Sequence, residues 1–183
     1  MNVLITGGTG HLGRLVIPRA QAAGHAVSIA SRRSRPSNAA EDVRWSIVDL
    51  ATGAGLTAAL DGIDAIVHAA SDLKNTDDAD VEGTTRLGEA ARDAGVEHLL
   101  FVSIVGIDRI PYPYYQRKLE AERRLVATAA LAALFEECRR REVLAVHVEV
   151  GQDNDAARML YERFGLALRS DNRLIQTVRL QEA

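Results

Sequence analysis

A glycine-rich turn near the start of the chain constrains the fold more than any other feature. The apolar run "NVLIT" at residues 2–6 predicts a β-strand, and "GGTGHLG" at residues 7–13 follows it directly. A helical pattern then continues to Gly24, a residue type that often ends helices. A strand, a glycine turn and a helix in this order are typical of the first unit of an α/β fold.

The same alternation of strand and helix continues over the first two-thirds of the chain. Further strands are predicted at residues 25–31, 43–49, 64–70 and 97–104, and helices at residues 55–62 and 78–95. Helices between successive strands imply parallel strands with right-handed crossovers, and helices then cover both faces of the sheet. The sequence therefore predicts an α/β fold over residues 1–126, a doubly wound, Rossmann-like parallel sheet.

The three glycines of the turn, Gly7, Gly10 and Gly13, have the spacing of a dinucleotide site. In such a turn one glycine makes the tight bend, one lets the backbone approach a pyrophosphate, and one allows close helix–strand packing. The helix that follows offers free N–H groups and a positive dipole end to the phosphates. We expect a bound dinucleotide here, and the alternative is a glycine turn without a ligand.

The end of the second strand bears on the choice of cofactor. NAD sites usually place an acidic residue about 20 residues after the glycines, whereas this chain has "SRRSR" at residues 31–35. Arg32 and Arg33 suit a 2′-phosphate, so NADP is favoured and NAD remains an option. The alternative is a solvated basic loop. Asp49, after the third strand, either accepts from the adenine amino group or caps the segment that follows.

Composition excludes several other classes of protein. The formal net charge is −3, which gives no general attraction to nucleic acid or to an anionic membrane, so neither is an expected partner. The expected partner is a small-molecule substrate. Cys138 is the single cysteine, which excludes an internal disulfide and a CxxC zinc site, and no metal is expected. We see neither a signal peptide nor an apolar run of membrane-spanning length, so a cytoplasmic location is expected.

Four motifs occur in an order that carries a family resemblance: "GGTGHLG" (7–13), "HAAS" (68–71), "FVSIVGID" (101–108) and "YYQRK" (114–118). Together they resemble the short-chain dehydrogenase/reductase superfamily, and most of all its atypical NmrA-like and sugar-epimerase-like NAD(P)H-binding members. The resemblance covers residues 1–126. The cofactor contacts that it implies are Gly7, Thr9, Gly10, His11, Leu12, Gly13, Arg32, Arg33, Asp49, Leu50, Ala69, Ala70 and Lys118.

The same resemblance implies a catalytic set of Ser103, Tyr114 and Lys118. Tyr114 and Lys118 are four residues apart and so share one face of a helix. The lysine would lower the tyrosine pKa by favouring phenolate, and Tyr114 would serve as the general acid/base toward a carbonyl or alcohol. Ser103 would hydrogen-bond the same substrate oxygen. The alternative is a tyrosine and a lysine at this spacing by chance.

Residues 127–183 differ in character from what precedes them. The segment at 128–181 resembles the C-terminal half of GNAT-type N-acetyltransferases, with a helix, the strand "VLAVHVEV" (143–150), a helix at 153–165 and a closing hairpin. We expect this strand to take the place of a sixth parallel strand, or its segment to pack onto the same sheet. Asp153 or Asn154 is the expected helix N-cap.

Acetyl-CoA is not an expected cofactor of that segment. The acetyltransferase pyrophosphate turn would lie at residues 124–129, where Ala127 occupies the place of a required glycine. Asn154 and Tyr161 match the acetyltransferase CoA-contacting asparagine and frequent general acid, but an N-cap and a core aromatic explain them equally. Three functions follow: an NAD(P)(H)-dependent reductase or epimerase with a truncated substrate region, a non-catalytic NADP(H) sensor or interaction module, and, most weakly supported, an acetyl-CoA-dependent transferase.

Overall fold

The computed structural model describes residues 1–37, 43–71, 79–142, 145–149, 155–170 and 173–179 of the 183-residue chain. Strands and helices alternate as the sequence predicts. In chain order they are β1 (Asn2–Thr6), α1 (His11–Ala22), β2 (Ala26–Ser31), β3 (Arg44–Ile47), α2 (Leu56–Leu60), β4 (Ala65–His68), α3 (Ala79–Asp93), β5 (His98–Phe101) and α4 (Pro113–Arg140).

The first five strands form one parallel sheet with the order β3-β2-β1-β4-β5. The chain begins in the middle of this sheet, builds outward to β3, and then returns across β1 to build β4 and β5 on the other side. This is the strand order of a Rossmann fold. In such folds ligands bind beyond the carboxyl ends of the strands, at the point where the strand order reverses. The predicted doubly wound α/β fold is confirmed.

Two apolar clusters hold the helices against opposite faces of the sheet. Successive strand residues point to opposite faces, so Leu4 of β1 packs with Leu60 of α2 and Leu87 of α3. Ile5, the next residue of β1, belongs to a second cluster against which Val16 of α1 packs. Each fully buried side chain of this size contributes about 1.5–3 kcal/mol relative to exposure. The core therefore fixes the carboxyl edge of the sheet, where the candidate site lies.

The helix α4 is continuous over 28 residues and carries both Tyr114 and Ala127. Contacts divide the chain into two compact units, Met1–Leu125 and Val126–Ala183, and the division falls within α4. None of the helices in the described residues is long and apolar enough to cross a membrane.

The second unit contains a separate sheet. Its elements are β6 (Ala145–Glu149), α5 (Asp155–Arg163), β7 (Ala167–Ser170) and β8 (Arg173–Arg179). β8 lies between β6 and β7 and is antiparallel to both. The expectation that this strand extends the parallel sheet is therefore corrected, because β8 of the closing hairpin supplies its backbone partner. The predicted N-caps, Asp153 and Asn154, lie outside the described residues.

Candidate functional site

The glycine turn is packed tightly between the ends of β1 and β4. Gly7 has a φ of 71°, a backbone conformation that side-chain-bearing residues rarely adopt. A Cβ atom at Gly7 would lie 2.6 Å from the backbone nitrogen of Ala70, and one at Gly13 would lie 2.5 Å from Cα of Gly8. Folding of the turn alone accounts for both glycines.

Gly10 is different, because its backbone conformation does not require a glycine. Its φ of −75° is open to any residue, it is exposed, and a Cβ would meet only the Gly7 carbonyl oxygen, at 3.2 Å. It is the N-cap of α1 and has no side chain to cap the helix, although Ser, Thr, Asp or Asn would do so better. Because Gly10 has no side chain, a pyrophosphate can approach the first backbone N–H groups of α1. Thr9, His11 and Leu12 are exposed around it.

The basic residues Arg32 and Arg33 lie at the same edge of the sheet. They follow β2, which pairs with β1 so that Ala30 lies beside Thr6, and both arginine side chains are exposed. The glycine turn rests directly on β2, since a Cβ at Gly8 would lie 3.0 Å from the Ile29 side chain. The structure thus brings the predicted 2′-phosphate residues beside the predicted pyrophosphate turn.

Asp49 and Leu50 have local structural roles after β3. The Asp49 carboxylate accepts a hydrogen bond from the Ala51 backbone N–H at 2.9 Å, and its carbonyl oxygen accepts from Gly53 at 2.7 Å. Asp49 therefore stabilises the turn after β3, and the expectation that it is an N-cap is corrected, because Gly55 is the N-cap of α2. Leu50 packs against the buried core, and its carbonyl oxygen accepts a hydrogen bond from Arg86.

Ala69 and Ala70 continue from β4 alongside the glycine turn. Both are half-buried. The Ala69 N–H donates to the Thr6 carbonyl oxygen at 3.2 Å, and the Ala70 N–H donates to the Thr6 hydroxyl oxygen at 3.3 Å. Their backbone therefore forms the wall opposite Gly7, where a ligand on the turn would meet them.

His68 is a buried residue beneath this wall that the sequence interpretation did not assign. Its Nδ1 lies 2.5 Å from the hydroxyl oxygen of Thr6, and its Nε2 lies 2.9 Å from the hydroxyl oxygen of Thr84 on α3. Burial, with a smaller contribution from the charge of Lys118, lowers the pKa of His68 to about 4. A neutral imidazole therefore joins β1, β4 and α3 under the turn.

Of the expected catalytic residues, Ser103 lies just beyond β5 and is exposed. Its hydroxyl donates to the carboxylate of Glu122 on α4 at 2.6 Å. Glu122 was not identified from the sequence, and its only signal there is its position four residues after Lys118. A hydroxyl that donates to a carboxylate has no second proton to donate to a substrate oxygen.

Lys118 and Tyr114 are both half-buried on α4. The Lys118 ammonium lies 4.6 Å from the centre of the Phe101 ring at the end of β5. Burial lowers the pKa of Lys118, and the carboxylate of Asp80 opposes this shift. The Tyr114 ring packs against that of Tyr115, with 6.0 Å between their centroids. The two expected catalytic side chains therefore lie on one helix whose lysine reaches the carboxyl edge of the sheet.

A separate cleft of about 510 Å³ lies between the loop after β5 and α4. Its helix residues are Gln116, Leu119 and Arg123, at the i, i+3, i+7 spacing of one helix face. Tyr114 and Lys118 lie on a different face of the same helix, so this cleft is not part of the site at the glycine turn.

Comparison with known proteins decides the family. Residues 7–137 match a family described as NAD(P)H-binding, which is well over half of the chain. The chain belongs to this NAD(P)H-binding family. Its cofactor is therefore NAD(P), as the glycine turn indicated. The match continues through α4 past residue 126, the boundary that we had expected.

Curated relatives and solved structures agree with this family. The chain is 31% identical over 132 residues to photosystem II assembly factor Ycf39 of Trieres chinensis, covering 68% of this chain and 41% of that protein. It is 32% identical over 117 residues to the Ycf39 of Synechocystis sp., covering 61% of this chain and 36% of that protein. The chain thus spans about two fifths of the length of these relatives.

Two solved structures share the fold of the first unit. The triphenylmethane reductase of Citrobacter sp., complexed with NADP(H), has a TM-score of 0.63 and 24% identity, covering 69% of this chain and 46% of that one. The Bordetella bronchiseptica enzyme WbmG, in complex with NAD, has a TM-score of 0.58 and 25% identity, covering 69% of this chain and 49% of that one.

The residues of this member fit the cofactor of the NAD(P)H-binding family. A pyrophosphate at the N-terminus of α1 meets free backbone N–H groups, and Gly10 contributes no side chain that would obstruct it. Arg32 and Arg33 provide cationic groups one strand away. When bound, the nicotinamide supplies or accepts a hydride.

Residues 124–129, where the acetyltransferase resemblance places a pyrophosphate turn, are helical. Ala127 lies inside α4, where backbone N–H groups donate to carbonyls of the helix. Tyr161 is half-buried on α5, and its carbonyl oxygen accepts from the N–H groups of Phe164 and Leu166. Asn154 lies outside the described residues.

Proposed function

We propose that this chain is the NADP(H)-binding part of an oxidoreductase- or epimerase-like protein of the atypical short-chain dehydrogenase/reductase type. The observation that carries the proposal is Gly10, an exposed N-cap whose backbone conformation does not require glycine, beside β2, which Arg32 and Arg33 follow. Two guanidinium groups at this edge favour a 2′-phosphate, and hence NADP over NAD.

For an active enzyme, Tyr114 is the proposed general acid/base and Lys118 its partner. Lys118 lies four residues after Tyr114 on α4, and its partial burial lowers its pKa. Lys118 would also hold the nicotinamide ribose. Ser103 is the proposed hydrogen-bonding partner of the substrate oxygen, for which it must first exchange its bond to Glu122.

A non-catalytic NADP(H) sensor or interaction module is the second candidate, and the Ser103–Glu122 bond favours it. In this arrangement the serine proton is directed to a carboxylate rather than to a substrate. The curated relatives are named as assembly factors, which agrees with an interaction role. The chain spans about two fifths of the length of these relatives, and no part of it is assigned to substrate binding.

We further propose that the C-terminal segment has a GNAT-like arrangement of strand, helix and hairpin without acetyl-CoA chemistry. The order β6-α5-β7-β8 is consistent with this assignment, and Ala127 inside a helix argues against a pyrophosphate turn. The cytoplasmic location expected from the sequence stays a prediction.

Calorimetric titration of the purified chain with NADPH, NADH and acetyl-CoA tests these alternatives together. We expect NADPH to bind more tightly than NADH, and acetyl-CoA not to bind. Equal affinity for the two nicotinamides would refute the NADP preference alone. Binding of acetyl-CoA without either nicotinamide would reject the whole assignment and favour the transferase.

A further inference from the structure

The basic loop after β2 is attached to the sheet by the side chain of Trp45, which binds the loop backbone. The indole N–H of Trp45, on β3, donates to the backbone carbonyl oxygen of Arg33 at 2.9 Å. The ring of Trp45 is half-buried and packs against the apolar cluster that includes Ile29. Ile29 is the partner of Trp45 in strand register and also lies under Gly8 of the glycine turn.

Two further hydrogen bonds hold the same short segment. The Ser31 hydroxyl oxygen accepts from the Arg33 backbone N–H at 3.1 Å, and the Ser31 carbonyl oxygen accepts from the Val48 N–H at 2.9 Å. The backbone of Arg33 is thus held at both its N–H and its carbonyl oxygen. Water could satisfy both groups in an exposed loop, so the side chains of Trp45 and Ser31 add a restraint on the Arg33 backbone beyond the β2–β3 pairing.

Fixing this backbone matters most for an ion-pairing side chain. A guanidinium that starts from a fixed Cα loses less conformational freedom when it pairs with a phosphate than one on a mobile loop. The two bonds hold Arg33 at the edge where β1 and β2 end, one strand from the pyrophosphate turn.

We propose that Trp45 is a positioning residue for recognition of the ribose 2′-phosphate, acting through the backbone of Arg33. This inference rests on the proposed preference for NADP. It adds that cofactor selectivity depends on an indole N–H that does not contact the ligand. Loss of that N–H should therefore weaken the contribution of the 2′-phosphate and leave the rest of the nucleotide site unchanged.

Two nucleotides that differ only in this group provide the test. Adenosine 2′,5′-bisphosphate and adenosine 5′-monophosphate are titrated calorimetrically into the wild type, Trp45→Phe, Ser31→Ala and Arg33→Ala, and the ratio of the two Kd values is the readout. Trp45→Phe removes the N–H and keeps an aromatic ring. Ser31→Ala removes the other bond to Arg33 without altering the apolar core. Thermal unfolding of each variant checks its fold.

We expect Trp45→Phe and Ser31→Ala each to reduce the preference for the bisphosphate about threefold to tenfold, the usual range for one lost hydrogen bond, with the Kd of the monophosphate unchanged. Arg33→Ala should reduce it at least as much. Because Trp45 is the only tryptophan of the chain, its emission in the wild type should also respond to the bisphosphate more than to the monophosphate.

The outcomes separate this inference from the proposed function. If Arg33→Ala reduces the preference while Trp45→Phe and Ser31→Ala retain the wild-type ratio, the positioning role is wrong and the NADP preference stands. If Trp45→Phe weakens both nucleotides equally, Trp45 is only structural and the inference fails. A wild type that does not distinguish the two nucleotides would overturn the NADP preference and the inference with it.

Discussion

The hydroxyl oxygen of Thr6 lies 2.5 Å from Nδ1 of His68, where β1 and β4 pair at the end of the parallel sheet. Thr6 is the last residue before the glycine turn, and its hydroxyl oxygen also accepts the N–H of Ala70. The imidazole continues to Thr84 on α3. The base of the cofactor site is therefore a chain of neutral hydrogen bonds that depends on an uncharged histidine.

Acidification should destabilise this fold through His68. Its pKa is about 4 in the folded protein and near 6.5 in an unfolded chain, so the unfolded state binds the proton more tightly. Above about pH 6.5 His68 is neutral in both states, so its protonation does not affect the free energy of unfolding. Below that pH the free energy of unfolding falls as the pH drops toward 4. The full loss is roughly 3 kcal/mol.

Denaturant unfolding between pH 4 and 7 measures this effect, with His68→Gln as the control. The variant should be less stable at pH 7 but should have a flatter pH profile, because it lacks the titrating group. Parallel profiles for the two proteins would show that His68 does not account for the acid sensitivity.

Substitution of Tyr114 by Phe separates an enzyme from a sensor. If the chain reduces carbonyl or quinone substrates with NADPH, loss of the phenol should lower kcat about 10²- to 10⁴-fold, the usual size of a general acid/base effect. The Kd of NADPH should change little. Tyr115→Phe is the matched control, because Tyr115 is adjacent on the same helix and is expected to retain full activity. Equal rates for the two variants would remove Tyr114 from the mechanism.

Removal of the Ser103–Glu122 hydrogen bond should raise kcat, whereas loss of the Tyr114 hydroxyl should lower it. In Glu122→Ala the serine hydroxyl is free to donate to a substrate oxygen, so kcat for a carbonyl substrate should rise about twofold to tenfold, the worth of one hydrogen bond. Glu136→Ala, an exposed position on the same helix, controls for a general loss of charge. A lower rate in Glu122→Ala would mean that the carboxylate assists the reaction instead.

Because Ala127 lies inside a continuous helix, we expect glycine at this position to destabilise the fold. Ala127→Gly should lower the free energy of unfolding by about 1 kcal/mol, the difference in helix propensity between the two residues. Ala129→Gly, two residues further along α4, should cost a similar amount. If the Ala127 variant alone were as stable as the wild type, the backbone there would be a turn, as the acetyltransferase resemblance requires.

The sequence predicted the fold of the first unit well because local signals and periodicity agree there. Each strand is bounded by a glycine or polar turn, and Gly24 and Gly95 adopt the positive φ of residues that end helices. The pairing of β6 was predicted wrongly. An apolar strand can pair with any free strand edge, and no local pattern in the sequence shows that β8 offers one.

The site was predicted in part. Glycines and arginines carry recognisable spacing, so Gly10 and Arg33 could be named from the sequence. Glu122, His68 and Trp45 could not be named, because each acts through a partner that is distant in the sequence. The Ser103 hydroxyl meets a carboxylate 19 residues away, and Thr6 meets an imidazole 62 residues away. Such pairs depend on the sheet order and on helix placement, which no local pattern specifies.

The most direct test of the cofactor site is the affinity for NADPH of the Gly10→Asp variant. Asp is a favoured N-cap, but its Cβ would lie 3.2 Å from the Gly7 carbonyl oxygen, so thermal unfolding is first used to check that each variant folds. Its carboxylate would face the pyrophosphate, and Gly10→Asn provides a neutral side chain of the same size. We predict that NADPH binds Gly10→Asp on the order of 100-fold more weakly than Gly10→Asn. Equal NADPH affinity in these two folded variants would contradict pyrophosphate binding at the glycine turn.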